Sequence, residues 1–338
     1  MSVLSTLHSL GRPARRLTNL PVVTLMPHSK CNCRCVMCDI WKANRSGTSI
    51  DEATVERLVE DFRELGVSLV ALSGGEALMH PNLWHVCERL KSLPLTISLL
   101  SSGLLLARHA EQIVRWCDEV IVSLDGPEAT HDRIRGIGGA CQATRDGLAA
   151  LRRAKPGFPA TARSVIQRGN FYELPETVAA ARELGFDHVS FLAADLSSTA
   201  FNRPTGWEED RVEEVALSVA ETADLAAVIE ALILKNAADF ASGFIRESPA
   251  KLRRVVAHYR AAHGLNSPPP VACNAPWVSA VVESDGAVRP CFFHEPVGNL
   301  ADGTLAEIVN SPKARAFRGS LDIRRDPICR TCVCTLKL

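Results

Sequence analysis

Short apolar runs alternate with longer amphipathic stretches from about residue 20 to residue 193. "PVVTLM", "SLVAL", "LTISLL", "EVIVSLDG", "TARSVIQ" and "HVSFLAA" are brief, apolar and bounded by turn residues, so each predicts a strand. Between them, "DEATVERLVEDFRELG", "PNLWHVCERLKSL", "ARHAEQIVRWC", "CQATRDGLAALRRA" and "LPETVAAARELG" space their apolar residues along one helical face. Ser49 or Asp51 caps the first of these helices, Gly66 stops it, and Pro81 opens the second. Six strands, each but the last followed by a helix, predict parallel βαβ units. Right-handed crossovers make these an α/β fold, either an open sheet or a curved partial (β/α)6 TIM-like barrel. Sites in such folds lie at the C-terminal ends of the strands.

The pattern changes at residue 195. "EEDRVEEVALSVAETADLAAVIEALILKNAADF" and "SPAKLRRVVAHYRAAHG" predict a helical insert over 195–270, the second helix capped by Ser248 with Pro249 behind it. "SPPP" then marks a linker. Over 271–338, "WVSAVVE", "SDG" and "AVRPC" predict a hairpin turning at Asp285-Gly286. "TLAEIVNS" and "KARAFRG" predict short helices before the last cysteines. The partition is a lead-in at 1–19, a barrel at 20–194, the insert, and a small C-terminal β-hairpin domain.

Composition narrows the class. Lys plus Arg and Asp plus Glu both number 38, so no basic footprint argues for nucleic acid. No apolar run reaches the length of a membrane helix, and the lead-in with Arg12, Arg15 and Arg16 lacks the core of a secretory signal. A cytoplasmic protein without a transmembrane segment is expected. Of the 12 cysteines, Cys87, Cys117 and Cys141 stand alone in apolar contexts and read as core thiols. The others crowd at the two ends.

Cys31, Cys35 and Cys38 form CxxxCxxC on the loop after the first strand. Three thiolates suit a four-iron cluster with one corner open to an outside ligand, and Cys33 is then a bystander. Zinc with Cys33 as a fourth ligand is the alternative. The loop after the second strand reads "LSGGEALMHP". Gly74 and Gly75 let backbone come close to a ligand, and Glu76 adds an acceptor beside them.

With these residues in this order, the chain resembles the radical S-adenosylmethionine enzymes over roughly residues 22–193. The resemblance implies that Cys31, Cys35 and Cys38 hold a [4Fe–4S] cluster whose open iron binds S-adenosylmethionine. It implies that Gly74, Gly75 and Glu76 meet the methionine amino group, and that reduction of the sulfonium yields a 5′-deoxyadenosyl radical. "SLDGPEATHDRIRG" looks like the family segment near the cofactor's ribose and carboxylate, which points to Ser123 and Asp125. Gln167 and Asn170 are similarly placed at the end of the fifth strand.

At the other end, Cys273 and Cys291 flank the hairpin as C-x12-G-x4-C, and Cys329 and Cys332 form CxxC. Four thiolates complete one four-iron cluster; a zinc ribbon is the alternative. This region resembles the SPASM and twitch extensions of the same enzymes. The spacing looks most like the truncated domain of 2-deoxy-scyllo-inosamine dehydrogenase, which implies one auxiliary [4Fe–4S] cluster. Cys334 is the alternative to one of these four ligands, and His294 reads as a packing or neighbouring residue, not a ligand.

A fully ligated auxiliary cluster suits electron transfer. The main expectation is therefore a net dehydrogenation of a small natural-product, sugar or cyclitol substrate. The alternatives are a peptide or protein maturase, forming thioether or carbon–carbon links or oxidising a side chain, and a non-catalytic iron–sulfur scaffold. An electron donor such as flavodoxin or ferredoxin is the implied partner. Asn202, Arg203 and Trp207, past the last strand, either touch or cover substrate or belong to a solvated connector. No general base is identified.

Overall fold

The computed structural model describes residues 16–203 and 205–338. Residues 1–15 of the expected lead-in, Arg12 and Arg15 among them, lie outside the described residues. The strands form where the apolar runs predict them: β1 (Val22–Leu25), β2 (Leu69–Leu72), β3 (Thr96–Ser101), β4 (Glu119–Ser123), β5 (Ala160–Ile166) and β6 (His188–Ala193). All six pair in parallel in chain order, the topology of a partial TIM-like barrel.

Helices α1 (Glu52–Glu64), α2 (Leu83–Leu90), α3 (Leu106–Trp116), α4 (Glu128–Arg135), α5 (Ala140–Ala154) and α6 (Leu174–Glu183) cover the outer face. Asp51 caps α1 by accepting from the Thr54 amide at 2.8 Å. Val55, Leu58, Val59 and Phe62 are the buried stripe of α1, each worth about 1.5–3 kcal/mol when fully covered. They join one core with Leu25, Leu72 and Leu99, which stand side by side in register on the helix-facing side. The opposite side of each strand faces the barrel interior, where Ser123, Arg163 and Ser190 are neighbours in register.

The insert breaks into α7 (Glu209–Val215), α8 (Val219–Lys235), α9 (Ala237–Ser242) and α10 (Pro249–Ala262). The long helical run does not continue through residues 216–218 because Ser218 starts a new helix. Ser218 and Glu221 form a reciprocal capping box there. The Ser248 cap and first-turn Pro249 of α10 form as expected.

The C-terminal part holds α11 (Ala275–Val278), β7 (Ser279–Val282), β8 (Ala287–Arg289), β9 (Gly298–Asn299), α12 (Leu305–Val309), α13 (Pro312–Ser320) and α14 (Pro327–Arg330). The hairpin forms across Asp285-Gly286, but it is not separate from the barrel. β7 pairs in parallel with β1, so the described residues make one nine-stranded sheet, β6-β5-β4-β3-β2-β1-β7-β8-β9. No helix among the described residues is long and apolar enough to cross a membrane.

Candidate active site

The loops leaving β1 to β6 meet on one rim. The loop after β1 carries Cys31, Cys33, Cys35 and Cys38 and is held by its backbone. Arg34 N–H donates to Arg135 O at 2.9 Å, and Val36 N–H to Ile134 O at 3.1 Å, which ties the loop to α4. Asn44 brackets Cys31, accepting from its N–H and donating to its carbonyl, both at 2.9 Å. Trp41 Nε1 donates to Cys38 O at 2.9 Å.

The thiols interact with one another. Cys33 hydrogen-bonds to both Cys31 and Cys35, which keeps its own proton on and lowers the other two. That contact, with the Arg135 guanidinium, holds Cys35 down to about 6 against its burial. Burial pushes Cys38 up to about 12. Cys33 is buried between its neighbours, not turned away from them.

The loop after β2 packs against the cysteine loop. Gly75 N–H donates to His28 O at 3.3 Å, and Glu76 N–H to Lys30 O at 2.8 Å. A Cβ on Gly75 would lie 2.1 Å from Lys30 O. One on Gly74, whose φ is +110°, would lie 2.8 Å from His28 O. Backbone approach this close requires glycine at both positions. The Glu76 carboxylate turns inward. It accepts from Ser102 N–H at 2.7 Å, Leu78 N–H at 3.2 Å and Ser101 Oγ at 3.2 Å. Burial raises its pKa against these donors.

Asp125 is fully buried and ion-paired to Arg135; it also accepts from Val165 N–H at 2.9 Å. Arg135 Nη1 reaches Cys35 Sγ at 3.5 Å, so Asp125 meets the cysteine loop through that guanidinium. Burial disfavours the charge on Arg135, but Asp125 and Cys35 outweigh it and raise its pKa. His131 Nδ1 accepts from Asp125 N–H at 3.1 Å; burial first, then Arg135, lowers this histidine to about 4. Asn170 holds the loop itself, donating to Asp125 O at 2.9 Å and Val165 O at 3.1 Å. Ser123 is half-buried on the interior side beside Arg163.

Asn202, Arg203 and Trp207 close on the cysteine loop, and Asn202 and Arg203 also line the cavity beside it. Arg203 Nη2 donates to Met37 O at 2.8 Å, Asn202 Nδ2 to Asp39 O at 3.2 Å and Trp207 Nε1 to Asp39 Oδ2 at 2.8 Å. The Arg203 guanidinium stacks 3.5 Å from the Trp207 ring centre. Arg135 and Arg203 are the residues that sequence reasoning missed as neighbours of the cysteines. Arg135 lay inside the quoted stretch after β4, but nothing local pointed it at Cys35.

The donor set fits an iron–sulfur cluster. The thiols are soft ligands with guanidinium groups beside them. Among the described residues, the buried atoms Asn32 Nδ2 and Gln167 Oε1 lack hydrogen-bond partners, as suits a polar ligand nearby.

At the other end, Cys273, Cys291, Cys329, Cys332 and Cys334 lie within electrostatic reach of one another. Burial raises the pKa of Cys291, Cys329 and Cys332. His294 Nε2 lies 3.3 Å from Cys329 Sγ and 3.7 Å from Asp326. Cys332 Sγ approaches Cys334 O at 2.7 Å. This thiol group suits a second cluster by the same chemistry. Beside the Gly74-Gly75 loop lies a cavity of about 470 Å³. Its walls include Gly74, Gly75, His28, Phe201, Asp285 and Phe292.

Residues 25–181 match the Radical SAM superfamily, and residues 273–333 match the SPASM iron–sulfur cluster-binding domain. The chain is 31% identical over 315 residues to a PqqA peptide cyclase of Gluconobacter oxydans, covering 90% of this chain and 80% of that protein. It is 30% identical over 185 residues to an AdoMet-dependent heme synthase of Methanosarcina barkeri, about 52% of each. The fold is similar to that of SuiB of Streptococcus suis bound to its precursor peptide SuiA (TM-score 0.66, 13% identity, 95% and 72% of the two chains). It is also similar to anSMEcpe with bound AdoMet and the Cp18Cys peptide (TM-score 0.64, 20% identity, 92% and 87%).

Proposed function

Because the chain belongs to the Radical SAM superfamily and carries a SPASM domain, we propose that it modifies a peptide by radical chemistry. These domains bring a [4Fe–4S] cluster with S-adenosylmethionine and an auxiliary iron–sulfur cluster. When bound, the first cluster and S-adenosylmethionine supply hydrogen-atom abstraction.

In this reading Cys31, Cys35 and Cys38 hold the first cluster, with Cys33 remaining a thiol between them. Gly74 and Gly75 bring backbone against the methionine end. The inward carboxylate of Glu76 shapes that loop, and Ser123 offers its hydroxyl to the barrel interior. Asp125 acts through Arg135, holding the guanidinium that faces Cys35. Cys273, Cys291, Cys329 and Cys332 would hold the auxiliary cluster, which would supply an acceptor for the electron of a deprotonated substrate radical. A flavodoxin or ferredoxin supplies the electron that starts the cycle. The cavity beside the Gly74-Gly75 loop takes the reacting segment of the peptide.

The observation that carries the peptide reading is the 31% identity to a PqqA peptide cyclase along 90% of the chain, insert included. Dehydrogenation of a sugar or cyclitol is the second reading. It keeps one argument, the single four-cysteine set of C-x12-G-x4-C and CxxC. To decide, the reconstituted protein is given S-adenosylmethionine, a reductant and the short peptides encoded beside its gene. Peptide-stimulated release of 5′-deoxyadenosine, with a change in peptide mass, is expected. Stimulation by sugars or cyclitols but by none of those peptides would reverse the assignment.

A further inference from the structure

The segment 197–203, just past β6, touches both cysteine groups. On one side, Arg203 donates to Met37 O at 2.8 Å and Asn202 to Asp39 O at 3.2 Å, and these carbonyls flank Cys38. On the other side, the Phe201 ring packs 4.7 Å from Phe292 and 6.2 Å from Phe293, the two residues after Cys291. Ser197 Oγ donates to Thr331 Oγ1 at 3.1 Å, between Cys329 and Cys332, and Thr199 Oγ1 to Glu295 at 3.2 Å.

The segment is stiff. Arg203 is buried and also donates to Asp195 O at 2.9 Å and to its carboxylate at 3.0 Å. Ser198 Oγ bonds the same carboxylate at 2.5 Å and accepts from Ala200 N–H at 3.2 Å. Phe201 and Asn202 both hold left-handed backbone, φ 58° and 63°. Asn202 tolerates that conformation, but a Phe keeps it only where its surroundings impose it. Its surroundings here are the internal bonds of the segment and the two cysteine-bearing segments.

We propose that residues 197–203 are a tie between the two cluster sites, with Arg203 the positioning residue for the Cys38 loop and Phe201 for the Cys291 segment. A rigid piece anchored at both ends transmits displacement, so loosening one anchor disturbs the distant site. This rests on the two cysteine groups holding clusters, as proposed above.

The test uses the anaerobically reconstituted holoprotein and reads effects across the tie. In Arg203→Met, chelator-driven iron loss from the auxiliary site should speed up by about tenfold, the lower end of what supporting contacts to a metal site are worth. Arg203→Lys, which keeps a donor for Met37 O, should recover most of that loss. Phe293→Leu, on the auxiliary side, should weaken the change that S-adenosylmethionine causes in the electron paramagnetic resonance signal of the first cluster. Auxiliary iron released at the wild-type rate from a folded Arg203→Met protein would overturn the tie. If Arg203→Met does not fold, Phe293→Leu decides, and a wild-type titration with S-adenosylmethionine overturns it. Wild-type protein holding about eight irons while the variants show no cross-effect refutes the tie alone. Wild-type protein that takes up no iron at either site refutes the cluster reading instead, and the tie with it.

Discussion

The two cysteine groups are built in different ways. The loop with Cys31, Cys35 and Cys38 is gripped by backbone hydrogen bonds from α4, by the glycine loop after β2 and by side chains from beyond β6. The group around Cys291 and Cys329 draws its thiols from a hairpin, a four-residue helix and the last residues of the chain. Cys334 there is exposed. A site inside a closed hydrogen-bond frame is shaped before any ligand arrives. One assembled from short, distant pieces needs its ligand to order it. The first region should therefore keep its shape when emptied, and the second should loosen.

The sharpest break of this contrast is Cys35→Ala. It should drop the iron content by about four per chain and abolish S-adenosylmethionine cleavage, while circular dichroism stays near wild type. Iron and 5′-deoxyadenosine assays check it. Cys329→Ala should remove a similar amount of iron and stop turnover of the substrate, yet spare part of the cleavage. It should also open the C-terminal segment to proteases, which limited digestion reads.

Next in size is the frame itself. Arg135→Met leaves Asp125 buried without its partner and should cost about 3–5 kcal/mol, measured by urea unfolding. Acid should loosen the same region. His131 is held neutral near 4 in the fold but titrates near 6.5 when unfolded, so the unfolded chain binds the extra proton. The stability tied to this group is whole above pH 6.5 and drains away as pH falls toward 4, by up to about 3 kcal/mol. His131→Gln, which keeps an acceptor for Asp125 N–H, should flatten that slope in unfolding curves taken across this window. The smallest expected effect is Cys334→Ser, which should leave iron content and turnover within about twofold of wild type. A loss of about four irons would make Cys334 a ligand.

Much of the first region could be read from the chain, since its signals are local. The βα alternation gave the six parallel strands, and "CNCRCVMC" with "SGGE" named the loops on the rim. α4 carries no such signal, because "EATHDRIR" is polar and short, and sits between the turn signals of Asp125-Gly126 and Gly136. The splitting of the insert had a local signal, Ser218 with Glu221 three residues on, masked by the apolar run around it. The pairing of β7 with β1 had none, because two strands more than 250 residues apart choose each other through a shared sheet edge. The same holds for Arg203 and Trp207. Their side chains suit a substrate mouth as well as a loop clamp, and only the fold brings Met37 and Asp39 to them.

The junction of β7 and β1 also limits how this protein can be shortened. A chain ended before residue 271 would expose the peptide groups of β1 along Val22–Leu25, an unprotected apolar edge of the kind on which other chains nucleate aggregates. The C-terminal part therefore covers that edge as well as carrying cysteines. A gene that lost it would lose the expressed protein before it lost any particular reaction.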